Sequence, residues 1–212
     1  MDLTLPQRLY LLSYDLDRKR FDSVSTGYRG QLLSAAALAE LTVGGWLHGP
    51  DGSAVRTPSP PPVDPFLAAI LSDIPPDRPR HMITALYLRM AEAEKLVQGE
   101  LLARGAVTVT RGRALGLFPT RTVTLNHPER VAALREETRE VLLGGRDAAT
   151  APFEDIAMIV IAAEADVWSL VGPKERSRYR ATLTLLQRRF DEAAPELRNA
   201  IRTAVTAVRS NP

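Results

Sequence analysis

"LLARGAVTVTRGRALGLFPTRTVTL", residues 101–125, changes its hydrophobic period part-way, and that change decides how the whole chain is read. Leu101 and Leu102 close a helical pattern that Gly105 stops. Val107 and Val109 then alternate with Thr108 and Thr110, which is strand spacing. Arg111-Gly112-Arg113 reads as the turn. Leu115, Leu117 and Phe118 begin the return, and "TRTVTL" carries it beyond Pro119, a residue suited to a strand edge. The stretch predicts a β-hairpin over 106–125. It contains Arg104, Arg111, Arg113 and Arg121 and no acidic residue.

Helical patterns dominate on both sides of it. Thr4 and Gln7 fit a capping box ahead of a first helix, with Pro6 in its first turn. "QLLSAAALAELTV" is helical and ends at Gly44-Gly45. "WLHGPDGSAVRT" predicts a second, short hairpin around a Gly-Pro-Asp-Gly turn. The prolines of 58–65 predict a surface loop. Asp64 and Pro65 then cap a short helix. Residues 80–104 read as one long helix through Ile83, Leu86, Tyr87, Met90, Val97 and Leu101. Downstream, Asn126 with Glu129 caps a helix that ends at Gly144. "IAMIVIAA" is apolar nearly all round and predicts a buried helix. "PKERSRYRATLTLLQRRF" and "PELRNAIRTAVTAVRS" follow as two more. The expected fold is mainly α, a single helical domain over 1–212 with a projecting β-hairpin and a second short hairpin near the N-terminus.

The 212 residues are 45 % hydrophobic and 25 % charged, with a formal net charge of +2. That is globular composition with enough apolar material for a core. The absence of cysteine excludes disulfides and thiolate metal sites. The longest apolar run is far shorter than the roughly 20 residues that span a bilayer. An acid at the start, Asp2, argues against a signal peptide. These features predict a cytoplasmic protein.

No pattern points to catalysis. His48, His81 and His127 lack partners at metal-ligand spacing. A nucleophile elbow and a phosphate-cradling Gly-Lys loop are both missing. Glu92 and Glu94, like Glu164 and Asp166, stand two apart on helical stretches and face different ways. Trp46 and Trp168 read as core or edge-packing residues. The expectation is a non-enzyme with no cofactor and no metal.

The basic hairpin admits four roles. It could be a winged-helix wing on DNA phosphates, a contact with anionic lipid headgroups, a self-association edge, or a closure of the fold. Composition alone favours the last. The DNA reading is opposed by Glu92, Glu94 and Glu100 on the preceding helix, so nucleic acid is not the expected partner.

Three strings, "LTLPQRLYLLSYD", "LLSAAALAELTVGGWL" and "LVQGELLARGAVTVTRGRALGLFPTRTVTL", with the order of elements, resemble the Golgi phosphoprotein three family. The resemblance covers nearly the whole chain. It implies a helical domain with a projecting hairpin, and a non-enzymatic peripheral membrane or adaptor protein that binds phosphatidylinositol 4-phosphate. It also implies a hairpin near the lipid site that takes part in self-association. High Ala, Arg, Gly and Pro usage suits a GC-rich, actinobacterial-type genome.

The family's lipid pocket uses a tryptophan and an arginine around the second helix and an Arg-x-x-Arg pair on the long helix. Alignment on the glycines puts these at Ser25, Ser34, Ala91 and Glu94, so this sequence departs from the pattern; neighbouring registers offer Tyr28, Arg29, Arg89 and Lys95. The resulting site expectation is Arg111 and Arg113 as headgroup contacts at the turn, Leu115 as apolar anchor, and Tyr28, Arg29 and Arg89 as pocket residues. The expected partner is an anionic phospholipid headgroup, a phosphoinositide by resemblance. A homo-oligomer through the hairpin and a protein client are the further partners. The expected location is the cytoplasm, peripheral on the cytoplasmic face of a membrane.

Overall fold

The structure is a computed structural model describing residues 3–49, 52–114 and 118–210; the side chains at 111, 113, 114 and 118–120 lie outside the description. Two helices form its centre because their sequences lack a polar face. These are α2 (Arg29–Val43), with Leu32, Leu33, Ala35–Ala39 and Leu41 at or near zero exposure, and α7 (Phe153–Glu164), buried from Asp155 to Ala163. A helix apolar all round must be enclosed. α1 (Leu5–Leu12), α3 (Pro65–Ser72), α5 (Met90–Ala103), α6 (Pro128–Leu143), α9 (Arg180–Ala193) and α10 (Leu197–Arg209) supply the enclosure. The helical expectation and that of small antiparallel hairpins both hold.

Local signals place several boundaries. Asp64 accepts hydrogen bonds from the N–H groups of Phe66 and Leu67 at the start of α3. Its other oxygen accepts from Gln7 Nε2 at 2.9 Å, tying α3 to α1. At α1 the Gln7 side chain accepts the Thr4 N–H, while Thr4 Oγ1 has no partner among the described residues.

Gly30, in the first turn of α2, meets α5 so closely that a Cβ there would sit 2.2 Å from the Met90 carbonyl oxygen. Only glycine permits that approach, and it brings Arg29 within reach of α5.

Among the described residues the strands form three small antiparallel sheets. β1 (Tyr14–Asp15) pairs with β2 (Arg20–Phe21). β3 (Leu47–His48), β4 (Ser53–Arg56) and β5 (Arg80–His81) form a second sheet. The long hairpin joins β6 (Val107–Ala114) to β7 (Phe118–Leu125), with Val107 opposite Leu125 and Arg111 opposite Arg121.

Several sequence expectations need correction. Residues 80–104 are not one helix. They are β5, α4 (Met82–Leu86), a turn and α5. The break centres on Arg89, whose φ of 55° is left-handed; bonds to Asp73 and Glu92 hold it there.

Arg111-Gly112-Arg113 is not the turn; it continues β6, opposite Arg121, Thr120 and Pro119. "PKERSRYRATLTLLQRRF" divides into α8 (Pro173–Arg178) and α9 at Tyr179. His127, not Asn126, takes the N-cap of α6, and Asn126 bonds instead to Thr108 and the Gly105 carbonyl. Of the two readings of Trp168, core and edge-packing, its 51 % exposure excludes the core.

Candidate anionic headgroup site

Four separate segments converge on one cleft of about 620 Å³. The β1–β2 hairpin contributes Lys19, Arg20 and Phe21, and the start of α2 contributes Arg29. The outer face of α5 contributes Ala91, Glu94, Lys95 and Gln98. The base of β7 contributes Arg121 to Val123. Among the described residues five basic side chains therefore face one acid, an imbalance that focuses positive potential in the cleft.

Arg29 lies on the floor and is only 5 % exposed. Its Nη1 donates to Glu94 Oε1 at 2.9 Å, and its Nη2 donates to the Asp22 carbonyl and to Thr26 Oγ1. The guanidinium lies 4.4 Å from the centroid of the Phe21 ring. Phe21 packs edge-on against Tyr10 and Tyr14. A planar cation stacked on an aromatic face is fixed in orientation. Its Nε is buried and bonds to nothing among the described residues.

The wall is fixed by a second chain of bonds. Arg121 on β7 bonds to Gln98 Oε1, and Gln98 Nε2 donates to the Tyr10 hydroxyl at 2.7 Å. Burial pushes the Tyr10 hydroxyl up to about 12, so it stays protonated. The Tyr14 hydroxyl donates to the Val123 carbonyl at 3.4 Å. The base of the long hairpin is thus bonded to the cleft.

The anticipated residues fall in different places. Arg29 lines the cleft, as do Ala91, Glu94 and Lys95. Ser34 does not; it is fully buried and its hydroxyl donates to the Leu88 carbonyl. Ser25 is likewise buried, with its hydroxyl bonded to the Asp22 carbonyl. Tyr28 points into the protein, donating to the Ala165 carbonyl at 2.6 Å and accepting from Arg209. Arg89 is held by Asp73 at 2.6 and 3.0 Å and does not reach the cleft. The side chains of Arg111 and Arg113, and all of Leu115, lie outside the described residues.

Sequence reading did not single out Lys19, Arg20 or Phe21. Their signal was the run "DRKRF", and only the β1–β2 pairing turns it toward α5.

No helix among the described residues is long and apolar enough to cross a membrane. A family model described as Golgi phosphoprotein 3 (GPP34) matches residues 5–204. The chain belongs to the Golgi phosphoprotein 3 family. That match runs from the start of α1 into α10 and includes all the cleft residues. No individual curated protein matches the chain. The GPP34 family comprises peripheral, non-catalytic, Golgi-associated scaffolds and adaptors, and this member is accordingly not an enzyme. Its association with Golgi lipids ties the GPP34 family to phospholipid partners in general terms.

Proposed function

We propose that this GPP34 protein is a peripheral membrane adaptor, one domain over 1–212, that takes the phosphate of an anionic lipid headgroup into the cleft. The observation that carries this reading is the gathering of Lys19, Arg20, Arg29, Lys95 and Arg121 around a single acid, Glu94. Arginine forks and lysine points of charge are the groups that recognise phosphate. Arg29 supports the reading further, because its guanidinium is preorganised by stacking on Phe21. Exposed Lys95, Arg20 and Arg121 surround it at the rim.

The headgroup class is a phosphoinositide by family resemblance, bound on the cytoplasmic face of a membrane. Ala91 and Glu94 stand where the family's paired arginines align, so the β1–β2 and β7 cations replace part of that charge. Co-sedimentation at physiological salt tests the proposal with neutral vesicles, vesicles of a common anionic lipid, and vesicles of phosphatidylinositol 4-phosphate at matched charge. Binding to anionic but not neutral vesicles is expected, with the phosphoinositide preferred. Equal binding to both anionic sets assigns a general anionic lipid. Failure to bind any anionic vesicle overturns the reading.

A second reading, self-association through the long hairpin, is favoured by its topology. β6 and β7 pair only with each other among the described residues, and with β7 turned toward the cleft this leaves the β6 edge without a strand neighbour. Solution mass of wild type against a hairpin deletion decides it.

A further inference from the structure

Trp168 lies in the turn after α7 and exposes 51 % of its surface. Both of its neighbourhoods are pinned. On one side Asp166 takes a left-handed φ of 49° and is held by Arg209 at 2.8 Å and by Arg176. On the other, Ser169 donates its N–H to Asp22 Oδ2 at 3.1 Å and its hydroxyl to the Leu12 carbonyl at 2.8 Å. The indole is therefore presented outward by a fixed turn. A strained residue persists only where its surroundings over-determine it.

Beyond the buried Leu170 and Val171, α8 is basic and has no buried residue. α8 exposes Lys174 and Arg178, and Arg180 is exposed just beyond it. Its acid, Glu175, is taken up by Arg139 and the Gly172 N–H. An exposed indole followed in the chain by exposed cations suits an anionic bilayer surface, where the ring sits at headgroup level.

Asp22 joins this segment to the cleft. Its carboxylate accepts from Ser169, and its carbonyl accepts from Arg29 on the cleft floor. The Trp168 turn and the cleft therefore flank one residue.

We infer that Trp168, with Lys174, Arg178 and Arg180, forms a second membrane contact in which the indole enters the interfacial layer of an anionic bilayer. This rests on the headgroup reading above, which brings the bilayer to the Asp22 side of the protein.

The chain has two tryptophans, so a Trp46→Phe variant leaves Trp168 as the only indole. Its emission is measured with anionic vesicles whose lipids carry bromine near the headgroup end of the acyl chain. A blue shift with quenching is expected. In the otherwise native chain, Trp168→Ala should weaken partition to anionic vesicles by about tenfold or more. The same variant should bind a soluble inositol phosphate as wild type does, since Trp168 does not line the cleft.

Vesicle binding with unshifted, unquenched emission, and with Trp168→Ala indistinguishable from wild type, overturns the membrane contact and leaves the headgroup reading standing. A blue shift that follows protein concentration without vesicles assigns the indole to a second copy of the chain and also overturns it. Absence of wild-type binding to any anionic vesicle overturns both readings.

Discussion

Arg29 and Glu94 meet across 2.9 Å on the floor of the cleft, one 5 % exposed and the other 44 % exposed at its side chain. The acid occupies the direction from which an anionic ligand would approach the buried cation. Glu94 thus competes with the headgroup for Arg29. A half-exposed pair of this kind is worth roughly 0.5–1 kcal/mol. Glu94→Gln is expected to lower stability by about that amount and to raise anionic-vesicle affinity by about two- to fivefold. Chemical denaturation and co-sedimentation check the two effects, and a fall in affinity would make Glu94 a ligand contact instead.

Glu40 on α2 predicts a pH dependence of stability. Its carboxylate accepts the Leu5 N–H at 2.6 Å in a cleft lined by Val43, Trp46 and Phe153. Burial, reinforced by Asp64 and Glu154, pushes its carboxyl up to about 7, against the Leu5 hydrogen bond and Arg8. The folded state therefore holds a proton that the unfolded chain has released. The contribution is complete below the unfolded value of 4.5 and is lost as pH rises toward about 7. Allowing for partial exposure, the loss is about 1–2 kcal/mol. Glu40→Gln, which keeps an acceptor for Leu5, should flatten the profile and be the more stable protein at pH 8. Urea midpoints between pH 5 and pH 8 test this as ~3 pH-unit series on both proteins.

Arg89 separates structure from binding. Its bonds to Asp73 and Glu92 hold a left-handed residue at the start of α5. Arg89→Ala is expected to lower the thermal midpoint and leave vesicle binding unchanged. Selective loss of vesicle binding at an unchanged midpoint would place Arg89 in the lipid site.

Much of this architecture could be read from local chemistry. The Asp64-Pro65 cap, the enclosed α7 and the alternating strands of the long hairpin all follow from neighbours within a few residues. The break at Arg89 could not, because a left-handed arginine is stabilised by Asp73, sixteen residues away. Arg-Gly-Arg carries a turn signal that the ladder opposite Thr120 outweighs. The cleft was harder still. Its cations come from residues 19–20, 29, 95 and 121, and only the close approach at Gly30 and the Arg121–Gln98–Tyr10 chain bring them together. Arg29 was within reach of sequence reading through the family pattern; the β1–β2 cations were not.

The hairpin gives its own prediction. Arg111→Glu with Arg113→Glu reverses charge on a strand bonded to the cleft wall through β7. With about 1 kcal/mol per cation near an anionic surface, binding to anionic vesicles should fall by about tenfold or more. The thermal midpoint should not move. Unchanged binding by the folded double variant removes the hairpin from the membrane surface.

The most direct test of the central claim is charge reversal at the cleft rim. Arg20 and Lys95 line it from different segments and are both exposed, so Arg20→Glu with Lys95→Glu should fold normally by circular dichroism. Co-sedimentation with anionic and neutral vesicles at physiological salt is then compared with wild type. The cleft account predicts that wild type sediments with anionic vesicles only and that the double variant loses at least about tenfold in affinity. A folded double variant that binds anionic vesicles as well as wild type would contradict it.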